Sequence, residues 1–125
     1  MHDIQMKTLN ICIQSTSKAL DTFGSTLQQL EAGQLVAPHF SIGFETVPQF
    51  AKVFTLKRWE LISELKKFGA VSIYELAKRL DRHYRNVHQD VALLSEWLVV
   101  EKDENGKVFV PWDEIDVRLP LQAAA

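Results

Sequence analysis

Residues 71–98, VSIYELAKRLDRHYRNVHQDVALLSEWL, read as two short helices joined by a tight polar turn, and no other stretch constrains the fold as strongly. Ser72 and Glu75, three residues on, have the spacing of a capping box, with Val71 and Leu76 placed to close over it as a hydrophobic staple. The first helix is therefore expected to begin at Ile73. From there Ile73, Leu76, Ala77 and Leu80 share one face and leave Glu75, Lys78 and Arg79 to water. Asp81-Arg82-His83 is too short and polar for anything but a turn. A second helix is expected from about Tyr84, with Val87, Val91, Leu94 and Leu98 as its buried stripe. Arg85, Gln89 and Ala92 fall opposite that stripe, and Asn86 and His88 flank them near the helix start. The pair reads as a helix-turn-helix.

In such a motif the exposed face of the second helix can enter the DNA major groove. Arg can bond a guanine edge through two hydrogen bonds, and Asn or Gln can do the same for adenine. Exposed Arg, Asn and Gln are also ordinary surface residues, so the charge distribution matters. The formal net charge of −2 counts against a protein that coats nucleic acid indiscriminately. Charge is uneven along the chain, however. Residues 1–54 carry three Lys/Arg against four Asp/Glu, residues 55–98 eight against six, and residues 99–125 three against six. Around the turn Lys78, Arg79, Arg82 and Arg85 are opposed only by Asp81, which makes a candidate phosphate-contacting patch. The candidate DNA-binding residues are thus Lys78, Arg79, Arg82, Tyr84, Arg85, Asn86, His88 and Gln89, with Arg82 expected to hold phosphate.

The remaining chain falls into elements around this pair. MKTLNICIQ places Leu9, Ile11 and Ile13 on one face of a half-buried strand, with Cys12 on the other. Leu20, Phe23, Leu27 and Leu30 give an amphipathic helix that Gly33 can close, and FSIGFE alternates as a second strand. Residues 1–53 therefore read as a β-α-β module with a short connecting helix that starts near Pro48. Its apolar surface exceeds what two strands and a helix can hide, so a homodimer organised by this module is expected. Thr55 is the expected N-cap of a firmer helix, with Phe54 and Trp59 as staple, Leu61, Ile62, Leu65 and Phe68 as core face, and Gly69 as terminator. After the helix pair, Asn105-Gly106 between two β-rich runs predicts a hairpin with a type I′ turn. Its tip is acidic. Ile115, Val117 and Leu119 alternate as a last strand, whose partner could be the hairpin, the N-terminal strands or a second subunit. Leu93 and Trp97 lie off the main core face of their helix, and a cover from the N-terminal module or a second subunit is expected. Residues 123–125 read as a frayed tail.

Nothing in the chain has the form of an active site. It contains no glycine-rich phosphate loop, nucleophile elbow or Cys/His metal spacing, and His83 and His88 sit beside arginines that disfavour a metal cation. Asp113, Glu114 and Asp116 read as solvated surface carboxylates, and the lone Cys12 as a small hydrophobe. No enzyme activity, catalytic residue, metal or cofactor is expected. The start MHDIQMKTLN lacks a charged segment followed by an apolar run, and no window holds the ~18 apolar residues of a membrane span. A cytoplasmic protein without a membrane partner is the expectation.

The run from LKRWELISEL through SIYELAKRLDRHYRNVHQDVALLSEWLVVEKDENGKVFV to PWDEIDVRLPL resembles a family of small MarR-like winged-helix transcriptional regulators of bacteria and haloarchaea. YRNVHQDV and PWDEIDVRLPL carry the resemblance most specifically. It covers about residues 54–121 and says little about residues 1–46. His83, at the N-cap of the second helix, departs from good capping chemistry. The resemblance implies a winged helix-turn-helix over residues 54–121, and with the β-α-β reading of residues 1–53 as an N-terminal extension the expected fold is α+β in two parts, 1–53 and 54–121. It also implies a transcriptional regulator, for some members an antitoxin with a cognate toxin partner; because one helix reads only a few base pairs, the expected form is a dimer that binds double-stranded DNA and represses transcription. The alternative is a protein-interaction winged-helix module without specific DNA binding, a reading to which the acidic ends contribute.

Overall fold

The computed structural model describes residues 6–14 and 40–121. They form an α+β structure: strands β1 (Thr8–Ile13) and β2 (Phe40–Phe44), helices α1 (Val47–Val53), α2 (Leu56–Phe68), α3 (Ile73–Leu80) and α4 (Tyr84–Glu96), short strands β3 (Glu101–Lys102) and β4 (Val108–Phe109), and strand β5 (Glu114–Arg118). Two units result, one of residues 51–113 with residues 6 and 7, the other of the described residues within 8–50 and 114–121. The expected helix through Leu20 and Leu30 and the tail at 123–125 lie outside the described residues. No helix among the described residues is long and apolar enough to cross a membrane.

In the second unit β1 is the middle strand of a sheet ordered β2-β1-β5, parallel to both neighbours. Leu9, Ile11 and Ile13 alternate with half-buried Asn10 and Cys12 and are themselves buried, as the spacing predicts. The partner of the last strand, open on sequence grounds, is β1: Leu9 lies opposite Ile115 and Ile11 opposite Val117. Ile115 and Val117 therefore share the buried side of β1, while Asp116 and Arg118 share the side of Asn10 and Cys12.

The first unit is organised by its helix caps. Thr55 is the N-cap of α2, where its hydroxyl accepts the Arg58 N–H at 3.3 Å, and Phe54 packs on Trp59 with ring centroids 4.9 Å apart. Leu61, Ile62 and Leu65 are buried behind that start, with Phe68 half-buried. Ser72 caps α3 through the Glu75 N–H at 3.0 Å. Val71, which the sequence marks only as a staple, also exchanges two backbone hydrogen bonds with Val108, at 3.1 and 2.7 Å, and so ties the start of α3 to the hairpin.

The turn between α3 and α4 has a specific form. Asp81 sits in the left-handed region at φ 53°, its N–H bonds to the Lys78 carbonyl at 3.2 Å, and the Arg82 N–H bonds to the Ala77 carbonyl at 3.0 Å. That is a Schellman closure with Asp, one of the few residues that tolerate this conformation, where glycine is usual. The end of α4 repeats the pattern with a less tolerant residue. Leu98 has φ 67°, its N–H bonds to Ser95 at 3.2 Å, and the Val99 N–H bonds to Leu94 at 3.0 Å. Leu98 was expected on the buried stripe of α4 but is 50% exposed, because the chain leaves the helix before its side chain can turn inward. Val99 and Val100 are buried in its place. Leu93 and Trp97 are half-buried.

The hairpin forms where Asn105-Gly106 predicts it, with a different turn. Gly106 has φ 80°, but Asn105 does not take the positive φ that type I′ requires. Asp103 decides the geometry: one carboxylate oxygen accepts both the Asn105 and Lys107 N–H groups at 2.9 Å, and the Gly106 N–H bonds to the Asp103 carbonyl at 3.1 Å. A turn closed in this way, followed by a left-handed glycine, is the three-residue hairpin loop with a bulge.

Where the hairpin runs out, Asp113 exchanges backbone contacts with Lys7. Its carboxylate accepts the Lys7 N–H at 2.9 Å, and Lys66 Nζ stands 3.5 Å away. The Lys7 N–H first, and the Lys66 charge after it, hold the Asp113 carboxyl below the usual aspartate range. A depressed carboxyl contributes stability above its unfolded value and loses it as pH falls through its folded value. Urea melts of the parent and Asp113→Asn should therefore differ near neutral pH, begin to converge as the pH falls past the ordinary aspartate value of about 4, and meet only below the lowered folded value. A constant difference across that window would contradict this role.

Candidate functional site

Helix α4 presents two chemically distinct sides. Val87, Asp90, Val91 and Leu94 are buried, whereas Tyr84, Arg85, Asn86, His88, Gln89 and Ala92 are exposed. Tyr84, Arg85, His88 and Gln89 line a shallow hollow over the first two turns, and the Tyr84 and His88 rings stack obliquely with centroids 5.8 Å apart. The N-cap His83 makes no side-chain capping bond, so the first-turn N–H groups gain nothing from that side chain. Lys78 and Arg79 are exposed on α3. Arg79 is engaged there, bonding Glu75 at 3.1 Å and lying over the Phe68 ring at 4.7 Å. The Glu75 carboxylate, which a reciprocal capping box would turn back towards Ser72, is taken by this contact.

Arg82 is the residue whose placement departs from expectation. Instead of facing outward to hold phosphate, its guanidinium turns to Asp90, with Nη2 2.8 Å from Oδ2, and its side chain is only 20% exposed. The other Asp90 oxygen accepts from Arg58 Nε at 3.0 Å. Arg58 Nη1 in turn donates to the Lys52 and Val53 carbonyls at 2.8 and 2.9 Å. One carboxylate on the inner side of α4 thus bridges the start of α2, the end of α1 and the turn before α4. Two opposed cations and directed hydrogen bonds on both oxygens explain how a charge can sit among Val87, Val91 and Leu94.

This cluster was missed on sequence grounds, although a signal was present. Asp90 falls on the same helical stripe as Val87 and Leu94, and a carboxylate in an apolar stripe calls for a buried cation. With Arg82 and Arg79 engaged, Lys78 and Arg85 are the cations around the turn without an ion pair among the described residues. Asp103 is likewise half-buried and committed to its own turn, which leaves Glu104 as the exposed acid of the hairpin tip.

Among the described residues no group of three His, Cys, Asp or Glu side chains stands close enough together to hold a metal ion. The side chains gathered on α4 are hydrogen-bond donors, acceptors and cations on an open surface, an arrangement suited to contacting a polar, anionic partner.

No curated protein matches the chain. No solved structure matches it either. A family model described as HVO_A0114 matches residues 53–117, from the last residue of α1 into β5 and more than half of the sequence. The chain belongs to the HVO_A0114 family.

Proposed function

We propose that the protein is a sequence-specific, double-stranded-DNA-binding transcriptional regulator built on a winged helix, with α4 as recognition helix, the β3–β4 hairpin as wing, and a homodimer as the working form. The observation that carries this reading is the division of α4: an inner side clamped through Asp90 to Arg58 and Arg82, and an outer side of exposed Arg85, Asn86, His88 and Gln89 on the first two turns. A rigid helix whose N-terminal turns offer Arg, Asn and Gln suits direct base readout. Lys78 and the N–H groups at the start of α4 are suited to phosphate oxygens. A single helix reads only a few base pairs, so a two-fold dimer on a pseudo-palindromic site is the route to specificity.

Alanine at any base-contacting member of Arg85, Asn86 and Gln89 should cost about 1–3 kcal/mol on the preferred site and relax preference at one base position. Lys78→Ala should instead weaken all sequences alike and reduce the salt dependence by about one unit of slope. Fluorescence anisotropy with the protein's own upstream DNA at several salt concentrations measures both. If none of the three α4 substitutions changes discrimination while the fold is intact, the protein-interaction reading, which the exposed Glu104 and the overall negative charge favour, takes its place.

A further inference from the structure

The sheet ends on β5, and no described residue pairs with the outer edge of that strand. Open edges of parallel sheets are normally covered, shortened or charged, because their free N–H and C=O groups recruit another strand. β5 carries Glu114, Asp116 and Arg118 on one side, but these charges are of both signs and can pair, and the other side leaves apolar surface open: Val117 is 41% exposed and Leu119, just beyond the strand, 42%. We infer that this edge is the subunit interface, with β5 pairing antiparallel to β5 of a second copy about a two-fold axis at Val117, so that two three-stranded sheets become one of six strands.

The register follows from the order of charges in Glu114-Ile115-Asp116-Val117-Arg118. A two-fold axis normal to the sheet must pair residues that point to the same side, which restricts the centre to a residue rather than a peptide bond. Centring on Asp116 sets two Asp116 carboxylates against each other, and centring on Ile115 sets Asp116 against Glu114. Centring on Arg118 opposes two guanidinium groups. Centring on Val117 opposes Asp116 to Arg118 twice and no like charges, while Val117 meets Val117 and Ile115 meets Leu119 on the other side. Directly opposed residues lie close enough for each of these pairs to act, so one register is attractive on both sides of the sheet. Pro120, which has no N–H to donate, falls opposite Glu114 and ends the ladder.

This names the surface for the dimer in the proposed function, but it rests on the strand edge alone, and its test contains no DNA. The intact chain and the variants Asp116→Arg, Arg118→Asp and the double exchange are compared by sedimentation equilibrium, with circular dichroism as the check on folding. The parent should be dimeric at micromolar concentration. Each single exchange turns two attractive pairs into two repulsive ones and should weaken the dimer by about tenfold or more, and the double exchange should restore it. In a Cys12→Ser background, Val117→Cys should also give a disulfide-linked dimer on oxidation, since the two residues face each other across the axis. A monomeric parent, single exchanges that stay dimeric, or a double exchange no better than the singles would overturn the assignment.

Discussion

Replacing Asp90 with alanine should lower the unfolding free energy by about 3–5 kcal/mol, the cost of removing one partner from a buried ion pair. The size follows from what would be left behind. Arg58 and Arg82, with side chains 19% and 20% exposed, would keep their charges with no carboxylate opposite them. Arg82 is already short of partners, its Nη1 being buried without a hydrogen bond among the described residues. Urea denaturation of the parent, Asp90→Ala, Arg58→Ala and the Arg58/Asp90 double variant measures the effect. The double variant should cost well under the sum of the singles, because residues in one network do not add. Arg82→Ala belongs to the same series: its first effect should be on stability, through the turn that sets the start of α4. A loss of under about 1 kcal/mol in Asp90→Ala would mean that the cluster behaves as a surface ion pair.

Trp112→Ala should be of similar size, about 3–5 kcal/mol, on the scale of large-to-small changes at buried aromatic sites. Trp112 is 5% exposed, and its indole N–H donates to the Leu98 carbonyl at 2.7 Å. Leu98 is the residue held in the left-handed region, a conformation that costs a non-glycine residue about 1–2 kcal/mol. The indole thus fills a core position and holds the strained exit of α4 in place. Trp112→Phe keeps most of the volume and loses the donor, so it should cost less than the alanine variant while still loosening the exit. Amide exchange at Val99, whose N–H closes the Schellman turn, should then quicken in both variants relative to the α2 core around Leu61. Unchanged protection at Val99 in Trp112→Phe would show that the indole bond does not restrain the exit.

Where local chemistry decides an element, the sequence was readable. Thr55 and Ser72 mark the starts of α2 and α3 because a hydroxyl at an N-cap satisfies an N–H that the helix cannot. Leu9, Ile11 and Ile13 mark β1 through the two-residue period of a half-buried strand. What was misread or left open was decided by something that the local pattern does not carry. Asn105-Gly106 announces a hairpin, yet Asp103 selects its turn by binding two N–H groups. The α4 stripe extrapolates to Leu98, yet the helix ends first, and no glycine marks the place because Leu98 itself takes the left-handed position. The alternation in β5 identifies a strand but carries no information on its neighbour, so its parallel pairing with β1 was not legible.

The candidate site was legible on its outer side and hidden on its inner side. Arg85, Asn86, His88 and Gln89 are exposed, as the helical period places them, because amphipathic spacing depends only on the helix itself. Arg82 was misplaced because counting charges near a turn treats every Arg as solvent-facing. Its partner Asp90 lies a little over two helical turns along, on the other side of α4.

The proposed function turns on whether α4 reads sequence, and one comparison addresses that most directly. The intact protein is titrated, at one fixed salt concentration, with the duplex upstream of its own coding sequence and with a scrambled duplex of equal length and composition. A regulator should prefer the native duplex by about a thousandfold or more. Equal affinity for the two duplexes, or binding to neither, would contradict the assignment of α4 as a recognition helix.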